Sequence, residues 1–497
     1  MPCPTECLDL TKDLDPRLPD PDGKPPKEVR RALEVFDLVF RRGLRQPDVV
    51  GVDVGYLIKE ATPEFENRIG IRFHVESKLS GQQLRELGRA NLDDIDQVKR
   101  LFAVIDEIEE DPKSGRITLD GVPIDVVEAQ YAPFHLARNT LRSRRPRSAI
   151  ELEDGALEVT GRKRIEPLVG GVSIGTADGP PGTVGLIVHD RTDGRPCILA
   201  NWHVLAGFEG SQVGRTCFQP AIFDGGVPGD EVGLLKRWLF DQRGDAALAE
   251  LAGHRDYSAG SILGLWFPVT DVLQPWLGLE VKKWGRTTGI TEGFIDGINM
   301  ATNIPYGNVT PRHFDGQIHI AARCAGEVFS DRGDSGAVVV ADFPTRLRIE
   351  EKTKRRESRV SYEILSTLKD RGQPSIDGLA DLQNAEELLE RWDEERKQLR
   401  VYYAVGLLFA GDTAASRFGE FALAHPMIEL SESLGFSIQP VFVPESDMVP
   451  QVGHSVPRRA PVEGGRPPRP TGPAAGPTTT IGGPQPGTDP SPPDLGP

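Results

Sequence analysis

The sequence predicts a mainly β protein with a small α+β unit in front and a Pro/Gly-rich tail behind. Three observations carry that reading. Between Gly170 and Gly411 short apolar runs (Val184–Val188, Cys197–Ala200, Val281–Trp284, Ile318–Ala321, Ala337–Val340, Val405–Ala410) alternate with Gly, Asp, Asn and Pro. Such spacing is the pattern of an all-β barrel or sandwich. Before it, helical and strand periods mix over 27–130. After it, 451–497 holds 13 Pro and 9 Gly among 47 residues and no aromatic ring, too little apolar surface to offset ordering entropy.

Taken in order, 1–26 is polar and Pro-rich and reads as a loose arm. Val29, Leu33, Phe36 and Phe40 recur at helical spacing up to Gly43. Val49–Gly55 reads as a strand, and Ile69, Ile71, Phe73 and Val75 alternate as a half-buried strand should. Ile95, Val98, Phe102, Ile105 and Ile108 stripe a second helix, and Ile124–Val127 follows the Asp120-Gly121 turn as a strand. A small α+β domain is therefore expected over 27–135 and a linker over 136–168. The linker contains the basic stretch Arg138, Arg142, Arg144, Arg145 and Arg147, which reads as solvated. The β-rich domain spans 169–440, the tail 441–497. Within the β-rich domain 345–400 is strongly charged, and Leu382, Leu389 and Trp392 lie near one helical face, so a helical insertion is expected. It is either a partner-docking element or a neutral extension, since long loop insertions cost little entropy; the N-terminal domain is the other candidate for partner docking.

Composition narrows function. Lys and Arg number 58 against 74 Asp and Glu, a net charge of −16, which argues against nucleic acid or anionic lipid as a partner recognised by bulk charge. No apolar run reaches the roughly 18 residues of a membrane span, and the first 20 residues have neither the basic start nor the apolar stretch of a secretory signal. Cys3, Cys7, Cys197, Cys217 and Cys324 form neither a disulfide framework nor a metal motif. The simplest expectation is a cytoplasmic protein without metal or cofactor.

The chemistry-bearing string is Phe329-Ser330-Asp331-Arg332-Gly333-Asp334-Ser335-Gly336. A serine hydroxyl needs a base to take its proton and backbone donors to receive an oxyanion. Glycines flanking Asp334-Ser335 permit a tight turn, on which the N–H groups of Gly333 and Ser335 could converge. His203 directly follows the apolar run Ile198–Ala200, a strand-end position that holds an imidazole rigidly and accessibly. Asp245 enters the apolar run Ala246–Ala249 and is the candidate orienting carboxylate; Asp230, Asp241 and Asp256 compete for that role.

The order His–Asp–Ser, with Asn201-Trp202-His203-Val204, Asp245-Ala246-Ala247-Leu248 and Gly333-Asp334-Ser335-Gly336, resembles the chymotrypsin/trypsin-like serine peptidases. Gly285-Arg286-Thr287-Thr288-Gly289 and the Val405–Gly411 strand resemble bacterial trypsin-like proteins with an N-terminal α/β domain, akin to plant narrow-leaf-type proteases. The resemblance covers roughly 45–435. It implies two six-stranded antiparallel β-barrels, with His203 and Asp245 on the first and Ser335 on the second. Ser335 would attack a peptide carbonyl, His203 would shuttle the proton, Asp245 would fix its tautomer, and Gly333 and Ser335 would form the oxyanion hole. Phe329 would floor the primary pocket, favouring a small or apolar substrate side chain, and Phe409, Ala410 and Gly411 would pair with substrate backbone. The alternative is a catalytically silent or latent peptide-binding module of the same fold.

Three departures from the family pattern stand out. Asp412 follows Gly411 and either faces a basic substrate group or points to water. Cys197 lacks the cysteine neighbour that secreted relatives place after the histidine. Leu168-Val169-Gly170-Gly171 resembles the opening of a mature chain, so either cleavage there frees an amine for Asp334, or Asp334 finds donors nearby.

Overall fold

The computed structural model describes residues 8–20, 22–59, 64–133, 161–207, 210–265, 268–307, 309–352, 357–364, 399–413 and 419–439. The basic stretch 138–147, residues 365–398 of the insertion and the tail 441–497 lie outside the described residues.

The N-terminal elements are α1 (Lys27–Gly43), β1 (Val49–Ile58), β2 (Phe65–Val75), α2 (Gly81–Glu86), α3 (Ile95–Leu101), β3 (Ile108–Glu110), β4 (Ile117–Leu119), β5 (Val122–Glu128) and β6 (Tyr131–Pro133). Val29, Ala32, Val35, Phe36 and Val39 face inward from α1, joining the core that β1 and β2 share. The Asp94 carboxylate caps α3 by accepting the Asp96 and Gln97 N–H groups. The second helix is shorter than its stripe suggests. Phe102 leaves helical geometry (φ −111°, ψ 43°), and Ile108 packs from β3 instead. Buried residues at helical intervals also arise where a turn feeds a strand into the same core.

Two β-rich halves follow. The first comprises β7 (Leu168–Gly170), β8 (Ser173–Thr176), β9 (Gly182–Thr183), β10 (Leu186–Asp190), β11 (Pro196–Ala200), α4 (Trp202–Leu205), β12 (Thr216–Phe218), β13 (Glu231–Asp241), β14 (Gly244–Leu251) and β15 (Tyr257–Ile262). The second comprises β16 (Val269–Val272), β17 (Glu280–Gly285), β18 (Gly289–Ile304), β19 (Arg312–Ala322), β20 (Val338–Lys352), β21 (Glu357–Ile364), β22 (Leu399–Asp412), β23 (Phe421–Pro426), α5 (Met427–Leu434) and β24 (Phe436–Ser437). The fold is mainly β, as expected.

In the second half β17, β20, β22, β23, β19 and β18 pair in succession, and β18 pairs back with β17, so these strands close a ring. The first half forms a sheet in the order β24-β10-β11-β14-β13-β12-β8-β9, with β7 and β15 as a separate parallel pair. Its inward residues, among them Ile187, Leu199, Leu248 and Val232, make one core that also takes in Val338 and Leu407 from the second half. Each half thus leans on the other, with the β11–α4 and β20 starts facing across the seam.

Three elements differ from expectation. First, the N-terminal strands continue the second half's sheet, because β1 pairs antiparallel with β18 (Gly51↔Thr302, Gly55↔Gly297). A charged network seals that junction. Arg72 donates to Asp53 (Nε to Oδ1, 2.8 Å) and to Asp296 (Nη1 to Oδ2, 2.6 Å), all of it buried. Second, residues 9–17 are not a loose arm: Leu10 N–H donates to Arg323 C=O, Arg17 N–H to Leu277 C=O, and Tyr56 hydroxyl to Asp15 C=O. Backbone groups with partners in the folded body hold a polar segment that composition alone leaves free. Third, the described part of the charged insertion is a β-hairpin, β20 on β21, with Thr345↔Ile364 and Lys352↔Glu357. The alternation Leu347, Ile349 against Arg346, Arg348, Glu350 is a period of two, which the dense charge concealed.

Cys324 is disulfide-bonded, with its partner outside the described residues, while Cys197 and Cys217 are free and buried. Among the described residues no helix is long and apolar enough to cross a membrane.

Candidate active site

β11 ends at Ala200 and the chain turns into the single turn of α4, which sets His203 at the seam. Trp202 stacks on Phe240 with ring centroids 3.8 Å apart, fixing that turn from below. β14 runs beside β11 (Ala200↔Ala247), which brings Asp245 under the histidine. The Asp245 carboxylate takes the His203 backbone N–H on Oδ1 (3.1 Å) and the His203 ring Nδ1 on Oδ2 in a short contact. Its neighbours complete the cradle. Tyr306 hydroxyl donates to Oδ2 (2.6 Å), and Asn201 Nδ2 donates to the Asp245 C=O (2.7 Å). Asp245 is wholly buried. Burial pushes its carboxyl up, but the His203 charge and hydrogen bond, His425 and the Tyr306 hydroxyl outweigh it and hold it below the ordinary range. Asp230 and Asp241 pair with Arg164 and Arg243 instead.

His425 was not singled out from sequence. Asp245 N–H donates to its Nε2 (3.0 Å) while its Nδ1 meets Gln317 Oε1 (2.5 Å), which fixes a neutral tautomer. Burial drives its pKa down to about 3. Its ring also stacks on Phe409 at 3.8 Å, so one side chain touches both the carboxylate's strand and the strand beside the serine. In sequence it is one histidine among nine, with no motif around it.

Ser335 lies in the turn before β20. Its Oγ donates to Phe409 C=O (3.3 Å), and its own C=O accepts from Thr183 N–H (2.8 Å). A Cβ on Gly182 would strike both the Val204 side chain and Ser335 O, so the residue after His203 and the serine face each other across that glycine. Ser335 and His203 are 1% and 2% exposed.

The backbone ahead of the serine is pinned. Thr287 hydroxyl donates to Arg332 C=O (2.7 Å), Thr183 hydroxyl to Gly333 C=O (2.8 Å), and Ala337 N–H to Asp334 C=O (2.9 Å). A trans peptide carries N–H opposite to C=O. Holding the carbonyls of Arg332 and Asp334 therefore turns the N–H groups of Gly333 and Ser335 the other way. Neither N–H meets an acceptor among the described residues.

Asp334 draws its donors from the uncut chain. Thr287 N–H (2.9 Å), Thr288 N–H (3.2 Å), Thr288 hydroxyl (2.6 Å) and Asp331 N–H (3.0 Å) all reach its carboxylate, and Lys283 Nζ lies 3.3 Å away. Burial raises the Asp334 carboxyl, but Lys283 and these donors outweigh it; burial alone lowers the Lys283 ammonium. Leu168, the expected start of a mature chain, is a fully buried residue of β7 whose N–H donates to Asp256 C=O (2.8 Å).

Phe329 is wholly buried in the second half's core, with Lys283 Nζ 5.6 Å from its ring centroid. Next to it, the Ser330 hydroxyl is buried with no hydrogen-bond partner among the described residues. Phe409 and Ala410 are buried on β22, and Gly411 is enclosed by β23 and β6 (Gly411↔Ala422 and Gly411↔Ala132). Asp412 is not solvated: it is fully buried, and its Oδ1 accepts the Gln130 N–H (3.1 Å). Among the described residues no cluster of three His, Cys, Asp or Glu is placed to hold a metal ion.

No family model and no curated protein matches the chain. Among solved structures it is similar to Nocardiopsis protease (NAPase), at 15% identity and TM-score 0.33 over 55% of this chain and 98% of that one. Thermobifida fusca Protease A gives 14% and 0.32 over 55% and 98%. The Rv3671c protease of M. tuberculosis in its active form gives 17% and 0.27 over 56% and 84%.

Proposed function

We propose that the chain is a serine endopeptidase in which Ser335 attacks a peptide carbonyl, His203 takes and returns the proton, and Asp245 orients the imidazole. The observation that carries this reading is the Asp245 carboxylate, buried and holding both the backbone N–H and the ring Nδ1 of His203. A carboxylate on Nδ1 leaves Nε2 as the basic nitrogen and stabilises the imidazolium formed when the serine ionises. The free N–H groups of Gly333 and Ser335 support an oxyanion hole, since preorganised donors stabilise the charge of the tetrahedral intermediate. Acyl-enzyme formation expels the leaving amine, which takes the proton from His203; water then attacks with His203 again as base. The resemblance puts Phe329, which carries no charge, at the floor of the primary pocket, and this supports an uncharged substrate side chain there.

A latent form is the second reading, favoured by the near-complete burial of Ser335 and His203. Digestion of a proteome-derived peptide library by the native chain and by Ser335→Ala tests the proposal. Cleavage after apolar residues that disappears in the variant supports it; identical patterns, or none from either chain, contradict an active peptidase.

A further inference from the structure

β22 has two edges. On one, β23 pairs with residues 406–411. The partners along the other follow one another without a gap. β20 pairs up to Val338↔Leu407; Gly336 N–H then donates to Leu408 C=O, and Leu408 N–H to Ala337 C=O (both 2.9 Å). Ser335 Oγ reaches Phe409 C=O next. Immediately beyond the serine, β6 takes over: Ala410↔Pro133, Gly411↔Ala132, Asp412↔Tyr131, antiparallel.

We infer that β6 is an internal occupant of the substrate edge, so that the protein holds its own N-terminal segment where an extended peptide would have to lie. This rests on Ser335 being the nucleophile. A peptide presenting a carbonyl to Ser335 extends along the β22 edge past Phe409, and adds itself to the sheet through the N–H and C=O groups found there. Those groups are taken. Thr413 N–H donates to Gln130 C=O (2.7 Å), which makes Gln130 and Thr413 a hydrogen-bonded pair. The alternation of an antiparallel ladder makes Ala132 and Gly411 the next such pair. Pro133 falls at a position where the ladder asks for no N–H, as a strand proline should.

The segment is fastened at its far end. Tyr131 hydroxyl lies 2.8 Å from His74 Nδ1 on β2 and 2.8 Å from His319 Nε2 on β19, the strands that flank the β1–β18 junction, and all three side chains are buried. Asp412 adds its hold on Gln130 N–H. β6 therefore runs from a buried anchor toward the serine, in the sense opposite to β22. An occupant on the same chain competes at a high effective concentration. A free peptide binds only in the fraction of molecules where β6 has left, and its apparent affinity falls by that fraction.

The test uses the full chain carrying Ser335→Ala, so that nothing is turned over. The probe is a fluorescein-labelled Gln-Tyr-Ala-Pro-Phe peptide, the chain's own sequence over 130–134, read by anisotropy. Adding Ala132→Pro removes the N–H that pairs with Gly411 and should tighten peptide binding at least tenfold. Tyr131→Phe, which keeps the ring and removes only the hydroxyl, should tighten it in the same direction. Unchanged affinity in both variants overturns the inference. Fluorophosphonate labelling of the chain with Ser335 intact is read separately. Tighter peptide binding without labelling supports the occupied edge and refutes the nucleophile, whereas labelling with unchanged affinity does the reverse.

Discussion

Lys283 Nζ lies 3.3 Å from Asp334 Oδ2, and neither side chain reaches solvent. The pair sits beside the turn that carries Ser335, so an internal lysine holds the aspartate next to the proposed nucleophile. Removing one partner of a buried pair leaves an uncompensated charge, at a cost of about 3–5 kcal/mol. Lys283→Ala should lower the unfolding free energy, read by denaturant titration, by that amount and abolish peptide hydrolysis together with it. Since the amine comes from within the chain, protein with an intact 161–170 segment should already be competent to react. Intact mass and amino-terminal sequencing of labelled protein check this.

Asp245→Asn should leave the fold in place and reduce kcat about 10⁴-fold. An amide in the carboxylate's position no longer selects the His203 tautomer with a bare Nε2. Single-turnover kinetics on a chromogenic peptide ester read the loss, and a drop below tenfold removes Asp245 from the machinery.

His425 gives the protein an acid liability. It is neutral and buried, with a folded pKa of about 3 against an ordinary 6.5. Between those values the unfolded chain binds a proton that the folded chain does not, so stability falls as pH falls through that window. The slope is about 1.4 kcal/mol per pH unit for one proton. Asp245 and Asp334, both held low, add to the loss only near and below pH 4. Urea midpoints at pH 7 and pH 5 should therefore differ in the native chain, and His425→Gln should reduce the difference, the remainder coming from His74 and His189, whose pKa values burial also lowers.

Much of this was legible in the sequence, and the misses share a cause. Alternation found β2, the apolar run before His203 marked the end of β11, and the glycines around Ser335 marked its turn. α1 ends at Gly43, as its stripe says. Lys283 was not legible because it stands next to Lys282, and two adjacent lysines read as a solvated face. Only the register of β17, with Lys283↔Val339 and Lys283↔Thr291, decides which of the two points inward. His425, Tyr306 and Asp296 depend likewise on long-range pairing that no local pattern encodes. Asp412 reads as a surface carboxylate until β6 is laid beside it.

Arg72 should be as sensitive as the site itself. It bridges Asp53 and Asp296 across the β1–β18 junction. Arg72→Leu strands two buried carboxylates and should cost at least the 3–5 kcal/mol of one broken buried pair. Calorimetry checks it; a loss under 1 kcal/mol would mean that water reaches the junction.

The most direct measurement is reaction of the native chain with a fluorophosphonate at neutral pH, with the adduct located by peptide mass spectrometry. A single adduct on Ser335 is expected, lost in His203→Ala as well as in Ser335→Ala. An adduct elsewhere, or labelling of Ser335 that persists undiminished without His203, contradicts the proposed mechanism.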